Sequence, residues 1–333
     1  MSACEQAFGF FQDQAVCKYI LTNSKGSRAG ILNLGGIIQE FSVLQNGGPH
    51  NLVVHFDDAQ GYIENPFQIN KQIGRVAGRI KGAAFEINGQ AYQVEANEGK
   101  NALHGGSNGL STQLFDAAWV SRSELVLSTR LWQVSDGYPN DLDVSIHYHL
   151  ADDNSLKITY RATALGDTVF DPTMHIYWRL PQGLAGARLA IPDGQHMQLD
   201  AERLPTGLSD GGNVLFDFSD GQDLAQAVSA LRRSTTQSGF DEAYRVRPDL
   251  AAPVAVLDTG EGFRVNIFSN RNGLVVFTAA PKEPAQHDAG DYDALATEAQ
   301  TLPDSLHHPE FGNIRLNKGE CKEAVIIYQI EMN

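Results

Sequence analysis

Residues 142–150 read LDVSIHYHL and residues 155–163 read SLKITYRAT. In the first stretch Leu142, Val144, Ile146, Tyr148 and Leu150 alternate with Asp143, Ser145, His147 and His149. In the second, Leu156, Ile158, Tyr160 and Ala162 alternate with Lys157, Thr159, Arg161 and Thr163. Successive side chains of a strand point to opposite faces, so a period of two marks strands with one buried and one wet face, the habit of antiparallel sheets.

Working outward, the same signal recurs. AAFEINGQAYQVE (83–95) reads as a hairpin turning on Asn88-Gly89, with Phe85 and Ile87 on the face of Tyr92 and Val94. AGILNLGGIIQEFSVL (29–44), ELVLSTRLW (124–132), FRVNIFS (263–269), GLVVFTAA (273–280) and EAVIIYQI (323–330) are further strand segments. Helical pattern is scarce, and DLAQAVSALRR (223–233) is its best case. Many short strands with turns between them predict an all-β fold: a large antiparallel β-sandwich, closed or nearly so, with few short helices. No internal repeat, Pro-rich linker or shift in composition marks a boundary, so one domain over residues 1–333 is expected.

The chain has 333 residues, with 25 Lys and Arg against 40 Asp and Glu, a formal charge of −15. That balance repels phosphate backbones and anionic lipid surfaces, so neither nucleic acid nor membrane is an expected partner. A neutral substrate fits it better than a phosphorylated one. No apolar run approaches the ~20 residues of a membrane helix. The first residues, MSACEQAFGFFQDQAVCK, lack the basic start and apolar stretch of a secretory leader. Cys4, Cys17 and Cys321 are odd in number and show no metal-type spacing, so no disulfide framework is expected and a reducing, cytoplasmic setting is the simple reading. The sequence admits a homodimer as readily as a monomer.

Four stretches stand out chemically. GRVAGRIKG (74–82) sets Arg75 and Arg79 among glycines and small apolar residues; each reads either as a donor fork for hydroxyl or carboxylate oxygens or as half of a surface ion pair. NALHGGSNG (101–109) follows His104 with two glycines, an ordinary turn or a loop that brings backbone close to a ligand. In DPTMHIYWRL (171–180), alternation puts His175, Tyr177 and Arg179 opposite Met174, Ile176, Trp178 and Leu180, so the histidine is either solvated or poised to pass protons. In ALATEAQTLPDSLHHPEFG (294–312), Glu298 sits in a small, apolar run where a carboxylate is costly unless paired or employed. His307 and His308 would diverge in a strand, and His147 and His149 lack an obvious third ligand, so no metal is expected. There is no GxGxxG after a strand, no P-loop and no GxSxG elbow.

Taken in order, GRVAGRI, NALHGG, DTVFDPTMHIYWRL, SGFDEAYRV and TEAQTLPDS followed by LNKGE resemble the aldose 1-epimerase (galactose mutarotase) family from about residue 25 to the carboxyl end. The resemblance implies a β-sandwich without metal or organic cofactor, acting on a monosaccharide. It implies His175 as the acid that protonates the ring oxygen and Glu298 as the base that takes the anomeric hydroxyl proton. Arg79, His104 and Asp241 would hold sugar hydroxyls, and Tyr177, on the histidine's own strand face, joins them as a sugar contact. A carboxylate near His175 would help keep it protonated. The chain departs from the family pattern at Gly78, where many members carry Asn, and at Val275, where a glutamine is often found. Met174, Trp178, Arg179 and Lys318 also replace more usual residues. Two rival readings are a hexose 6-phosphate epimerase using Arg179 and Arg271, and a sugar-binding protein that has kept the fold without turnover.

Overall fold

The alternation at 142–163 becomes two adjacent strands, Leu142–Leu150 and Ser155–Ala164, paired so that Ile146 faces Tyr160 and Tyr148 faces Ile158. The computed structural model describes residues 5–45, 47–208 and 213–332. Strand makes up 47% and helix 11%, far from the roughly one-third helix of an ordinary globular protein, so the all-β expectation holds.

Three antiparallel sheets carry the architecture. A nine-stranded sheet runs in spatial order Asp116–Ser121, Glu124–Leu131, Leu142–Leu150, Ser155–Ala164, Cys321–Met332, Phe263–Ser269, Ala255–Asp258, Arg188–Ala190, Gln222–Asp223. A six-stranded sheet runs Ile176–Arg179, Ala294–Gln300, Gly273–Ala279, Asp241–Arg245, Gln195–Leu199, Pro205–Leu208. The third is a meander of five strands from Gln6–Phe11 to Gly48–Asn51.

The inner faces of the sheets share one apolar cluster. The alternating set of 142–162 (Ile146, Tyr148, Ile158, Tyr160) meets Trp178, Leu295, Val276 and Tyr244 from the six-stranded sheet. Trp178 is fully buried where all three sheets meet. Its ring lies 5.2 Å from Tyr328 of the nine-stranded sheet and 6.5 Å from Phe41 of the meander, and its indole N–H donates to Thr297 Oγ1 at 3.0 Å. A buried polar chain ties the layers further: Gln72 Nε2 donates to Tyr148 OH, Tyr160 OH donates to Gln72 Oε1, and Tyr148 OH donates to the Gly36 carbonyl.

The expected hairpin forms as Ala84–Ile87 and Gln90–Gln93, with Asn88 and Gly89 both at positive φ and Phe85 stacked opposite Tyr92. The expected helix is Leu224–Ser234, capped by Asp223 on the Gln226 N–H. The sequence pattern does not announce Gln14–Thr22, because Val16, Cys17, Lys18 and Tyr19 are all buried and leave no wet face to alternate. Cys321 is free and exposed. His307 and His308 do not lie in a strand. They follow a turn, and both approach Asp304, at 2.7 and 3.8 Å, instead of diverging. No helix among the described residues is long and apolar enough to cross a membrane.

Trp178→Ala should remove about 3–5 kcal/mol of stability, the usual cost of emptying a large aromatic site. Urea unfolding should show a lowered midpoint with an unchanged slope.

Candidate active site

The six-stranded sheet presents a second face, and cross-strand register arranges it in rows. Tyr177, Ala296, Phe277 and Asp241 stand directly opposite one another across four strands. One pair along, Glu298, Val275 and Ala243 form the next row, and His175 continues it just before the edge strand begins. Ala243 and Val275 are small and floor a cleft whose walls include His175, Tyr177, Asp241, Phe277, Glu298 and Gln300. Ile176 and Trp178, the intervening residues, lie in the core, so the alternation expected for 174–180 is observed. Arg179, opposite Ala294 at the end of the same strand, does not line the cleft.

The facing wall comes from two segments. Arg79–Ile80 pairs with Ala102–Leu103, and the His104 N–H donates to the Gly78 carbonyl. His104, Gly105 and Gly106 all take positive φ (57°, 83° and 77°). A Cβ on Gly105 would stand 2.1 Å from the Gly74 carbonyl oxygen. The glycine is thus demanded by neighbouring backbone, where the sequence alone points to a ligand. The turn aims the His104 ring into the cleft, where its Nδ1 accepts from the Gly78 N–H at 3.2 Å. Burial, with the nearby His175 and Arg79, holds His104 well below its ordinary range and so neutral. Its other nitrogen is therefore a donor.

The two arginines of GRVAGRI divide. Arg75 is fully buried and bidentate on Asp136 (2.7 and 3.0 Å), with further bonds to the carbonyls of Leu131, Pro139 and Asn140, so it is structural. Arg79 reaches the cleft and is itself held by Glu98 at 2.6 and 2.7 Å. Asp241 lies near Arg203, 3.6 Å from its Nε. Arg203 also donates to the Asp241 carbonyl and to Glu242 Oε1, both at 3.1 Å.

Asn70 sets the histidine's backbone. Its N–H donates to the His175 carbonyl, and its side-chain oxygen accepts from the Tyr177 N–H at 2.8 Å. Its amide group meanwhile donates to the carbonyls of Ile38 and Val54. The His175 ring stacks on Tyr177 (4.9 Å, 11°), so Tyr177 lines the cleft largely as a platform for the imidazole.

His175 Nε2 lies 3.4 Å from Glu298 Oε1, and both residues are buried. Burial pushes Glu298 up to about 8, with the Asp241 charge adding to the rise, and pushes His175 down to about 3. Both directions favour the uncharged forms, a protonated carboxyl beside a neutral imidazole. These directions run against the expectation that Glu298 keeps His175 protonated, because the cost of desolvating two charges opposes their attraction.

Five buried polar atoms on the cleft walls have no hydrogen-bond partner: His175 Nδ1, Glu298 Oε2, Gln68 Oε1 and both ends of the Gln300 amide. Buried polar groups are otherwise nearly always satisfied, so this ring of open valences fits a polyhydroxylated ligand. Gln300 also answers the departure at position 78, for its Nε2 lies 3.0 Å from where a Gly78 Cβ would stand. An amide from the six-stranded sheet fills the space beside the glycine. His104, His175 and Glu298 offer ligand atoms within 4.8 Å of one another, a set with the right donors for a transition metal. It is wider than the ~3.4 Å edge of a tetrahedron with ~2.1 Å bonds, and His104 Nδ1 is already engaged. Arg271, proposed above for a phosphate, lies behind the sheet, bonded to the carbonyls of Pro172 and Ala299.

The family model described as Aldose 1-epimerase matches residues 18–329. The chain belongs to the aldose 1-epimerase family. It is accordingly an isomerase. Among its relatives, the maltose epimerase of Levilactobacillus brevis is 38% identical over 99% of both chains, and the aldose 1-epimerase of Streptococcus thermophilus is 36% identical over 94% of both. The aldose epimerase fold is shared with the GalM/aldose epimerase homologue from C. elegans (TM-score 0.86, 22% identity, covering 96% of this chain and 99% of that one). It is shared equally with galactose 1-epimerase from Lactobacillus acidophilus (TM-score 0.83, 21% identity, 98% of each). Within this aldose epimerase scaffold, all six residues singled out from the sequence, Arg79, His104, His175, Tyr177, Asp241 and Glu298, line one cleft. Arg203 and Gln300 line it as well, unannounced, while Asn70 and Glu98 support Tyr177 and Arg79 from outside it.

Glu298 binds its proton more tightly folded than unfolded, so its contribution to stability is full below 4.5 and is lost as pH rises toward about 8. The stability advantage of Glu298→Gln over wild type should therefore widen across that window. Urea titrations at about pH 5 and about pH 9 would read the difference.

Proposed function

We propose that the cleft interconverts the α and β anomers of free aldoses such as galactose and glucose by metal-free general acid–base catalysis. The observation that carries this reading is the buried His175–Glu298 pair, 3.4 Å apart and ringed by unpartnered polar atoms. Anomer exchange consumes no proton overall. One must leave O1 as another reaches O5; the C1–O5 bond breaks and C1=O1 forms. After rotation about C1–C2 the same transfers run backwards on the other face of the aldehyde.

A pair sharing one proton suits that cycle. When sugar hydroxyls satisfy the carboxylate, the proton crosses to His175, which then protonates O5 while Glu298 takes the O1 proton. Arg79, His104 and Asp241 hold hydroxyls remote from C1, so the sugar stays bound while C1 turns. Arg79 and Arg203 are already paired with carboxylates, and Arg179 and Arg271 lie outside the cleft, which favours a neutral sugar over a phosphorylated one. A relative named maltose epimerase adds reducing disaccharides to the sugars worth testing.

Polarimetry on freshly dissolved α-D-galactose and α-D-glucose tests the reading. Wild type should speed the approach to equilibrium rotation, and Glu298→Gln or His175→Asn should each lose about 10²–10⁴-fold. EDTA should leave the rate unchanged. After subtraction of the buffer blank, the rate should fall as pH rises through about 8, where the pair surrenders its proton. Wild-type rates equal to the blank on both sugars would overturn the proposal.

A further inference from the structure

Asp241 stands where its strand has lost a neighbour. Asp241–Arg245 pairs with Gln195–Leu199 only through Arg245 with Gln195 and Tyr244 with His196. Neighbouring carbonyls of a strand point to opposite sides, and that of Phe240 accepts from the Thr278 N–H, so that of Asp241 faces the gap. A side chain takes the missing strand's place. Arg203 Nη1 donates to the Asp241 carbonyl at 3.1 Å, while its Nε lies 3.6 Å from the Asp241 carboxyl. One guanidinium thus reaches both the backbone and the side chain of Asp241.

Arg203 is itself set from two directions. It sits in the turn that joins Gln195–Leu199 to Pro205–Leu208, at φ 59°, a conformation uncommon for residues other than glycine and asparagine. Asp200 builds that turn, its Oδ1 accepting from the N–H groups of Glu202 and Leu204. Glu202 ties it to the segment entering Ala102–Leu103, through Lys100 at 2.9 Å and Asn101 at 3.1 Å. On its other side, Arg203 Nη1 also donates to Glu242 Oε1 at 3.1 Å. Glu242 is buried, and three groups converge on its carboxyl: Arg203 and Gln237 on Oε1, and His196 Nε2 on Oε2 at 2.7 Å. His196 is pinned by a parallel stack on Phe216 (4.1 Å, 2°) and does not line the acid–base cleft. A buried carboxyl tied by three side chains is a fixed anchor for the guanidinium.

Building on the anomerase reading above, in which Asp241 holds a sugar hydroxyl, we propose that Arg203 is a positioning residue that presents Asp241 to the sugar, and that His196 acts on sugar binding from outside the cleft through Glu242. The chemistry at C1 is untouched. The relay removes the freedom of Asp241 before the sugar arrives, so its loss weakens binding and spares turnover.

Polarimetry on freshly dissolved α-D-glucose tests this with three variants, each alone and combined with Asp241→Asn. Arg203→Met keeps the stem without its donors, His196→Phe keeps the stack without the ring nitrogens, and His196→Gln puts a donor back. Arg203→Met should raise KM about tenfold or more and His196→Phe about threefold or more, both with kcat within about twofold. His196→Gln should bring KM back to within about twofold of wild type. Beside Asp241→Asn, neither Arg203→Met nor His196→Phe should change kcat/KM by more than about twofold, because nothing remains to be positioned. Losses that multiply in the double variants would overturn the proposal, since direct contact or general loosening would produce them. So would a fall in kcat at unchanged KM, an unchanged KM in His196→Phe, or wild-type kcat/KM in Asp241→Asn, and each of these leaves the anomerase reading intact. Blank rates with wild type would remove that reading and the relay with it. Should Arg203→Met fail to fold, His196→Phe carries the same comparison alone.

Discussion

Much of this molecule hangs on how tightly Trp178 is packed. Its ring touches the nine-stranded sheet through Tyr328 and the meander through Phe41, and its N–H is bonded within its own sheet. Strand geometry makes its position inseparable from that of its neighbours. If residue 178 is pinned in the core, residues 177 and 175 must face the other way. The imidazole is aimed by a tryptophan it never touches. Asn70 completes the constraint from the backbone side, and Tyr177 beneath the ring removes its remaining freedom.

The cleft is the place where the fold runs against its own economy. A carboxyl and an imidazole are buried 3.4 Å apart, and polar atoms of His175, Glu298, Gln68 and Gln300 are left without partners around one cleft. The surrounding sheets bear that cost, which explains why such a small group of polar atoms sits on so large a scaffold. The same burial that shifts both titrating groups also excludes the water that would otherwise satisfy them.

The division between what could and could not be foreseen follows from burial. Strands wet on one face, such as 142–150 and 155–164, write their alternation openly. Gln14–Thr22 is covered on both sides and carries no such mark. The individual site residues were visible because carboxylate, imidazole and glycine stand out in apolar surroundings, and the family resemblance ordered them. Their supporting partners were not visible. Glu98, Arg203 and Asn70 look like ordinary polar residues until the chain folds and brings them to Arg79, Asp241 and His175. Protonation escaped as well, since proximity suggests attraction between Glu298 and His175 whereas depth decides which charges survive.

The state of that pair has an electrical consequence. Burial favours an imidazole without charge and a carboxyl that keeps its proton at the centre of the cleft, and the sugar proposed for it is itself uncharged. The field of a chain with a formal charge of −15 therefore has nothing to steer. Encounter is left to plain diffusion, and counterions that screen the surface have little to weaken at the centre.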